Sequence, residues 1–439
     1  MKIAKIDSYE KAVSYILEIP RFLAKNDSES TKECLKHVGE GDIDTVIHIA
    51  GTNGKGSTCA FLNSVYVAMG KKTGMFTSPH LVDIRERIQI DGQMISKEDF
   101  LASTNAVIDC INEVRKTKES YHPSFFEFVF FIAVYYFASQ KVDVAIYETG
   151  LGGRLDATNS LSKKDICVIT EIGMDHMEYL GDTFAKIAGE KAGIIANNVP
   201  VVYWSGREEC ASVIETQAKA VNASAYPVCE ENVKFVSLNE KSIDFSYIYG
   251  YDRNAIFRVS SYAQYQVYNA AMALKTLQVL GIDIECKEVV SGIAAMNWPG
   301  RMEQVCDRIF VDGGHNVDGI EAFVKSVKAD RCKGNRYLIY SAVSDKQVDI
   351  IGSMLVESGA FSRISICEID SSRAKKIDEL ILLFEELVKN KGDKIVLESY
   401  RDIQMALEGE TKYLKEDDRL YICGSLYLVG EVKAFFEAK

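Results

Sequence analysis

The sequence predicts an α/β fold in which a mostly parallel sheet with a small antiparallel insertion precedes a second, smaller α/β domain. Short apolar runs rich in β-branched residues alternate with helical segments, a pattern typical of parallel sheets covered by helices. Between Val233 and Val259 the runs become shorter, more polar and alternating, which indicates antiparallel strands. After the Trp-Pro-Gly-Arg segment at residues 298–301 the first pattern starts again.

Each element of the first part follows from its own pattern. Runs that are apolar on both faces predict buried strands, at Thr45–Ala50, Lys72–Thr77, Asp143–Tyr147, Ile166–Thr170 and Pro200–Tyr203. The most apolar segment covers only 13 residues, 128–140. Because a membrane span needs about 20 residues, this segment predicts a buried helix. Another helix is expected over residues 262–280, where Gly281 ends it.

The segment 298–301 is the predicted boundary between two domains. Pro299 and Gly300 prevent a helix from running through it. We therefore expect a first domain over residues 1–297, a hinge over 298–301 and a second, Rossmann-like domain over 302–439. In the second domain, strands are expected at Ile309–Asp312, Tyr337–Tyr340, Arg363–Glu368, Lys394–Leu397 and Leu420–Cys423.

The composition excludes several classes of function. The chain has 439 residues, of which 47% are hydrophobic and 26% are charged, and its net charge is −12. Such a chain is an ordinary globular protein whose acidic surface repels nucleic acid and anionic membranes. The 11 cysteines are scattered, and no CxxC pair supports a zinc or redox motif. Because the sequence contains no recognisable signal peptide, we expect a cytoplasmic monomer that acts on small molecules.

The run His48–Thr58 carries the strongest functional signal, because it has the pattern of a buried strand, a glycine turn and a helix start. Glycines at 51, 54 and 56 allow several backbone N–H groups to point into one concavity. Lys55 adds a positive charge, and Ser57 or Thr58 offers a hydroxyl to hydrated Mg²⁺. The turn therefore predicts a seat for nucleotide phosphates. Gly56 separates the lysine from the serine, unlike the common P-loop, and a plain tight connection is the alternative.

Polar side chains follow the other predicted strands at their carboxyl ends. Ligands of a parallel sheet bind beyond these ends, where Ser78, Glu148 and His176 would meet the phosphates. A hydroxyl and a carboxylate suit Mg²⁺, whereas an imidazole is a less usual ligand. Taken singly, each has another explanation, as a turn residue, a surface charge or a structural histidine. Lys191 would by default be a solvated lysine. The convergence on one rim favours a site.

Several motifs, in a fixed order, resemble those of one enzyme family. They are HIAGTNGKGST (48–58), FTSPHL (76–81), ETGLGGRLDATN (148–159), IGMDHMEYLGDT (172–183), EKAGII (190–195), WPGRME (298–303), VDGGHN (311–316) and GSLYLVGEV (424–432). The set resembles the folylpolyglutamate synthase and dihydrofolate synthase family, a branch of the ATP-dependent Mur-type amino-acid ligases. The matching blocks span nearly the whole chain, and several motifs in order are far more specific than the glycine turn alone.

The resemblance implies a role for each matching residue. ATP would be bound by Gly54, Lys55, Gly56, Ser57, Asn269, Arg301 and Asp312. Two Mg²⁺ ions would be bound by Ser78, Glu148 and His176. A carbamate would be carried by Lys191. The pterin would be bound by Ser124, Phe125, Phe126, Glu127, Leu155, Asp156 and Ala157, although the two phenylalanines could equally begin a core helix. Catalysis would use Lys55 and Lys191. We further expect His315 to act in catalysis, near a glutamate site that the second domain supplies.

Four positions depart from the family pattern. Tyr265 stands where the family usually has His, and Val317 replaces a Pro. Gly314 replaces an Ala, and Glu171 replaces a small residue. None of the four is a predicted metal or phosphate ligand. They bear on contacts around the adenine and the hinge rather than on the reaction class.

The resemblance implies an ATP-dependent ligase that joins L-glutamate to a folate, to dihydropteroate or to both, through an acyl phosphate. One alternative is a Mur-type ligase acting on a nucleotide-linked cell-wall precursor. Such an enzyme would carry a separate N-terminal domain, whereas 50 residues precede Gly51 here. The other alternative is a nucleotide-binding switch, which would need neither the loop at 156–159 nor a second α/β domain. The sequence leaves the identity of the acceptor open.

Overall fold

The computed structural model describes residues 2–20, 28–239, 241–250, 253–344, 346–371, 373–391 and 395–437. Its strands form three sheets, of eight, three and six strands. The two larger sheets are mostly parallel and pack against helices, and the smallest is antiparallel. The predicted α/β fold class is confirmed. No helix within the described ranges is both long enough and apolar enough to span a bilayer.

The first strand in the sequence lies in the interior of the eight-stranded sheet. Its members are β1 (Thr45–Ala50), β2 (Thr73–Phe76), β3 (Ile88–Ile90), β4 (Gln93–Met94), β5 (Val144–Glu148), β6 (Ile166–Ile169), β7 (Val201–Trp204) and β8 (Ala225–Val228). The order is β4-β3-β2-β5-β1-β6-β7-β8. β1 pairs in parallel with β5 and β6, whereas β3 and β4 run antiparallel at one edge. The five predicted strands are all present, and their carboxyl ends share one edge.

Helices cover this sheet because its strands present apolar side chains alternately to two cores. Val46 belongs to the core that contains α5, whereas Ile47 and Ile49 belong to the core of α3 and α9. The predicted buried helix is α5. The bounds are α1 (Tyr9–Glu18), α2 (Ser28–Val38), α3 (Lys55–Ala68), α4 (Lys97–Val114), α5 (Phe125–Gln140), α6 (Met177–Leu180), α7 (Phe184–Ala192), α8 (Glu208–Ala220), α9 (Tyr265–Val279) and α10 (Lys287–Ala295).

The predicted antiparallel insertion is a three-stranded sheet. Its strands are β9 (Val233–Leu238), β10 (Ile243–Gly250) and β11 (Arg253–Val259), in the order β11-β10-β9. Phe245, Tyr247 and Phe257 are buried in the core that contains α9. The helix expected from residue 262 begins only at Tyr265. It starts late because the Ala263 backbone N–H is turned toward the Ser261 hydroxyl, which accepts it at 3.0 Å.

The six-stranded sheet is formed entirely by residues beyond 302. Its strands are β12 (Glu303–Cys306), β13 (Ile309–Val311), β14 (Arg336–Tyr340), β15 (Arg363–Cys367), β16 (Val396–Tyr400) and β17 (Arg419–Cys423), in the order β12-β13-β17-β14-β15-β16. Its helices are α11 (Val317–Ala329), α12 (Val348–Glu357), α13 (Ile377–Lys391), α14 (Ile403–Thr411) and α15 (Leu426–Glu437). Lys394, at the start of one predicted strand, lies outside the described residues. The division into domains at 298–301 stays a prediction.

The six-stranded sheet contains a buried carboxylate whose removal we expect to be costly. Glu410 is fully buried and accepts hydrogen bonds from Arg363 Nε at 2.7 Å, Ser365 Oγ at 2.7 Å and Tyr400 OH at 3.0 Å. Glu410→Ala leaves the guanidinium without its buried partner, so the free energy of unfolding should fall by about 3–5 kcal/mol in urea denaturation. The control is Glu408→Ala, an exposed change on the same helix that should cost less than about 0.5 kcal/mol. Equal losses for the two variants would contradict this account.

Candidate active site

The turn between β1 and α3 fits its surroundings only because it contains glycine. Gly51 and Gly54 have positive φ angles of 149° and 86°. A Cβ atom would lie 1.8 Å from Thr170 Oγ1 if added at Gly51, and 2.2 Å from Asn269 Oδ1 if added at Gly54. The backbone N–H groups that follow Gly51 donate to the Glu171 carbonyl oxygen, at 2.8 and 3.2 Å. The turn is therefore locked between the end of β6 and helix α9.

The start of α3 is open to a polar ligand. Its N-cap is Gly54, whose position provides no side chain to accept the first-turn N–H groups. Such an end attracts anions through its free N–H groups and the helix dipole. The hydroxyls of Ser57 and Thr58 are buried and have no hydrogen-bond partner among the described residues. Buried polar groups are rarely left unpaired, so these two hydroxyls indicate a site for a polar ligand.

A carboxylate and an ammonium face each other beside this turn. Glu148 is the last residue of β5 rather than the first residue after it, and it is buried. Its Oε1 lies 3.8 Å from Lys55 Nζ, and its Oε2 accepts the Ser78 N–H at 3.1 Å. Burial raises the pKa of Glu148, and the charge of Lys55 opposes that rise. The pair offers opposite charges to a phosphate and to a cation.

His176 sits in the loop that follows β6. Its backbone is left-handed, with φ of 51°, and its N–H donates to Asp175 Oδ1 at 2.8 Å. Burial lowers the pKa of His176 to about 4, against the opposing charge of Asp175. The imidazole is therefore neutral near pH 7 and can act as a ligand.

Asp175 joins the first sheet to the loops of the six-stranded sheet. Its carboxylate accepts from Lys346 Nζ at 2.5 Å and from Asn316 Nδ2 at 3.3 Å, and it lies 3.4 Å from His315 Nε2. Burial alone would raise the pKa of Asp175. The hydrogen bond and charge of His315, together with Lys346, instead hold that pKa well below its usual range. Asn316 also donates to Asn53 Oδ1, at 3.0 Å, within the glycine turn.

Asp312 forms a second junction between the two sheets. It follows β13 and accepts from Tyr265 OH at 2.5 Å, from Met302 N–H at 2.9 Å and from Gly314 N–H at 2.8 Å. Burial raises the pKa of Asp312, and the nearby Arg301 charge opposes that rise. Tyr265, which departs from the family pattern, thus donates a hydrogen bond to Asp312, a residue predicted to contact ATP. Two further predicted contacts have partners of their own, since Arg301 donates to the Gly300 carbonyl and Asn269 to Gln266.

Lys191 is buried against the same turn. Its Nζ donates to the Gly51 carbonyl oxygen at 2.7 Å, and the residue is 3% exposed. Burial, and then the charge of Lys55, lower the pKa of Lys191 to about 7. A solvated surface lysine, the default reading of the sequence, is excluded by this position.

Helix α5 begins at the wall of the same cleft with a capping box. Ser124 N–H donates to Glu127 Oε2 at 2.7 Å, and Glu127 N–H donates to Ser124 Oγ at 3.4 Å. Thr31 Oγ1 donates to Glu127 Oε1 at 2.7 Å. Phe125 is buried, whereas the Phe126 ring covers Gly150 so closely that a Cβ there would lie 2.6 Å from it. The predicted carboxylate thus has a structural role in the helix start.

The glycine-rich loop 150–157 is shaped by one carboxylate. Asp156 Oδ2 accepts the backbone N–H groups of Gly150 and Leu151, each at 2.9 Å. Asp156 Oδ1 accepts from Thr158 N–H at 3.0 Å and from Thr158 Oγ1 at 2.6 Å. Leu155, by contrast, is 51% exposed.

All predicted site residues line one cleft, with a volume of about 1460 Å³. The cleft also contains residues to which the sequence analysis assigns no role, among them Asp175, Lys346, Arg87 and Trp204. Asp175 had a usable signal, because it precedes His176 at a predicted strand end. Lys346 had none, since only the packing of the second sheet against the first brings it to Asp175. One end of the cleft can bind phosphates and a cation, and the other can bind a flat apolar group.

Comparisons with known proteins decide the family. A model of the Mur ligase middle domain matches residues 49–277. The Bacillus subtilis dihydrofolate synthase/folylpolyglutamate synthase is 32% identical to this chain, over 97% of the chain and 98% of that protein. This chain belongs to the folylpolyglutamate synthase and dihydrofolate synthase family. The family resemblance predicted from the motifs is confirmed, and with it an enzyme of the ligase class.

Two further members of the family show how much of each protein the match covers. The match to the Arabidopsis thaliana folylpolyglutamate synthase is 34% identical and covers 75% of this chain, but it spans only 61% of the plant protein. The solved structure of E. coli FolC in complex with DHPP and ADP superposes with a TM-score of 0.85 at 25% identity, covering 99% of each chain. The overall fold is therefore shared with a family member whose structure was solved with ADP.

The junction at Asp312 gives a prediction about stability. Tyr265→Phe removes one of the donors to a buried carboxylate, so the free energy of unfolding should fall by about 1.5–3 kcal/mol. The matched control is Tyr340→Phe, because the Tyr340 hydroxyl is buried and has no hydrogen-bond partner in the described part of the chain. That control should leave stability unchanged or raise it. Chemical denaturation of both variants checks the difference, and a loss confined to the control would refute it.

Proposed function

We propose that this enzyme uses ATP to join L-glutamate to the carboxylate of a pteroyl compound, either a folate or dihydropteroate. The observation that carries the proposal is the single cleft, in which an uncapped helix start with Lys55 and Glu148 lies beside the aromatic wall at Phe126. Two family members support the proposal. E. coli FolC was solved in complex with DHPP and ADP, and the Bacillus subtilis protein is named for both synthase activities.

The nucleotide lies along the junction of the two sheets. Its phosphates bind the glycine turn and the start of α3, where Gly54, Lys55, Gly56 and Ser57 offer N–H, ammonium and hydroxyl groups. Asn269, Arg301 and Asp312 bind the rest of the nucleotide, and their positions on the wall of the cleft support this. The segment 298–301 then acts as a hinge between domains at 1–297 and 302–439.

The residues present fit the two expected Mg²⁺ ions. Ser78, Glu148 and His176 supply a hydroxyl, a buried carboxylate and a neutral imidazole, and the unpaired Ser57 hydroxyl supports a further polar partner. Among the described residues, His, Cys, Asp and Glu form no group of three or more suited to a metal. Phosphate oxygens and water would therefore complete the coordination. When bound, Mg²⁺ neutralises the phosphate charge and favours attack at phosphorus.

Lys191 carries a carbamate in the active enzyme. Carbamate formation requires a neutral amine, whose nitrogen bonds to the carbon of CO₂ and loses a proton. The pKa of about 7, lowered by burial and by Lys55, supports a neutral amine at this position. The product places an anion near Lys55, whose positive charge disfavours an ammonium at Lys191.

The pteroyl group binds between helix α5 and the loop 150–157. The Phe126 ring offers a flat apolar face. Ser124, Phe125 and Glu127 complete one wall, and Leu155, Asp156 and Ala157 complete the other. Because Glu127 and Asp156 are already hydrogen-bonded within the protein, they set the shape of this subsite as well as its polarity.

The reaction proceeds in two displacements. An oxygen of the acceptor carboxylate attacks the γ-phosphorus of ATP, the bond to the β-phosphate oxygen breaks, and ADP leaves. Lys55 and Arg301 stabilise the charge that develops on the phosphate oxygens. The glutamate amine then attacks the acyl carbon, a C–N bond forms, phosphate leaves, and the amine loses a proton.

Glutamate binds on the side of the six-stranded sheet. His315 is a candidate for this site because it follows β13 and lies 3.4 Å from Asp175, on the junction that meets the glycine turn. Closure of the cleft around the substrates would exclude water from the acyl phosphate. The chain acts as a cytoplasmic monomer on these small molecules, and its eleven free cysteines support a reducing compartment.

ADP formation measured with two acceptors tests the proposal. With Mg²⁺-ATP and glutamate, ADP should form only when dihydropteroate or tetrahydrofolate monoglutamate is added, and comparing the two rates identifies the acceptor. Lys55→Ala should lower kcat/KM by about 100-fold or more, because it removes a charge that stabilises the transition state. The control Lys71→Ala changes an exposed lysine beyond the other end of α3 and should have no effect. ADP release indifferent to both substrates would instead favour a nucleotide-binding switch.

A further inference from the structure

A histidine lies fully buried in the middle of the eight-stranded sheet. His48 is the fourth residue of β1 and is paired on its two sides with Tyr147 of β5 and Cys167 of β6. It is 0% exposed. Burying an imidazole is unfavourable unless hydrogen bonds compensate for the lost water. We therefore expect the His48 imidazole to have a role that an apolar side chain could not fill.

A continuous chain of hydrogen bonds runs from His48 to the loop 150–157. His48 Nε2 lies 2.7 Å from Thr158 Oγ1, and Thr158 Oγ1 lies 2.6 Å from Asp156 Oδ1. Asp156 Oδ2 then accepts the backbone N–H groups of Gly150 and Leu151. Thr158 is also 0% exposed. A residue of the central strand is thus tied to the backbone of the loop through two side chains.

The direction of each hydrogen bond follows from the chemistry of the groups. The Asp156 carboxylate can only accept, so the Thr158 hydroxyl donates to it. The Thr158 hydroxyl oxygen therefore accepts a hydrogen bond from His48 Nε2. Burial, with the charge of Lys164, holds the pKa of His48 well below its usual value, so the imidazole is neutral. Its proton therefore sits on Nε2. Nδ1 is buried and has no hydrogen-bond partner among the described residues.

The loop depends on such side chains for its shape. Residues 150–156 form neither helix nor strand, and three of them are glycines. Its outer side is held to α7 through Arg154 N–H, which donates to the Glu190 carbonyl at 2.7 Å. Its inner side is held by Asp156, and Asp156 is held by Thr158 and His48. Without the inner contacts, the glycines would allow many backbone conformations.

We propose that His48 is a positioning residue, which acts through Thr158 and Asp156 to fix the loop 150–157 in the shape that binds the pteroyl acceptor. The inference rests on the proposed function for the identity of that acceptor. The nucleotide turn is held separately, by Thr170, Asn269 and the Glu171 carbonyl, so its shape does not depend on this chain of bonds. Loss of the chain should therefore weaken the acceptor and spare ATP.

Two pairs of variants separate positioning from simple core packing. A glutamine amide nitrogen reaches the position of Nε2, whereas an asparagine amide nitrogen reaches only that of Nδ1, which has no partner. We expect His48→Gln to keep nearly normal kinetics and His48→Asn to raise KM for dihydropteroate by about 10-fold or more, with KM for ATP changed less than about twofold. Thr158→Val should behave like His48→Asn. Thr276→Val is its control, since the Thr276 hydroxyl is equally buried but bonds only within α9.

Amide hydrogen exchange of the enzyme without substrates gives a readout that does not depend on the reaction. The Gly150 and Leu151 amides should exchange faster in His48→Asn and Thr158→Val than in the wild type. Their exchange rates should be unchanged in His48→Gln and Thr276→Val. Equal exchange in all five proteins would overturn the proposal, as would a KM for ATP that rises as much as the KM for dihydropteroate. If the exchange pattern holds but the wild type makes no ADP with pteroyl acceptors, the positioning of the loop stands and the proposed acceptor fails.

Discussion

The close approach of the β1–α3 turn to Thr170 and Asn269 is the constraint on which the rest of the site depends. The approach leaves no space for a Cβ atom at Gly51 or Gly54. It brings the carboxyl end of β1 against the end of β6 and against α9. With the turn held against β6 and α9, Lys55 faces Glu148 and Lys191 reaches the Gly51 carbonyl oxygen.

The six-stranded sheet meets the turn and its surroundings through buried polar contacts. Asp175 and Asp312 are each buried and each shared between the two sheets. Removing one partner of a buried ion pair is strongly destabilising, so these two carboxylates help to hold the two sheets together.

Much of the fold and site could be predicted because local pattern determines both. Buried parallel strands are apolar throughout, so β1 and β6 could be located within a residue, and their ends carried the predicted ligands. The edge strands β4 and β8 were missed, because short edge strands have little burial to pattern them. Two contacts could not be predicted, that of Lys346 with Asp175 and that of His48 with Thr158, because each joins residues far apart in sequence. No local pattern records such contacts.

The affinity of the Gly54→Ala variant for Mg²⁺-ATP, measured by calorimetry, tests the central claim most directly. The added Cβ would meet a side-chain atom, Asn269 Oδ1, so the fold can survive while the turn and its neighbour shift. Gly281→Ala is the matched control, with a similar φ of 80° and nothing within 4 Å of the added atom. We expect Gly54→Ala to bind at least about tenfold more weakly than Gly281→Ala, at comparable thermal stability. Equal affinities would contradict the assignment of this turn as the seat of the nucleotide.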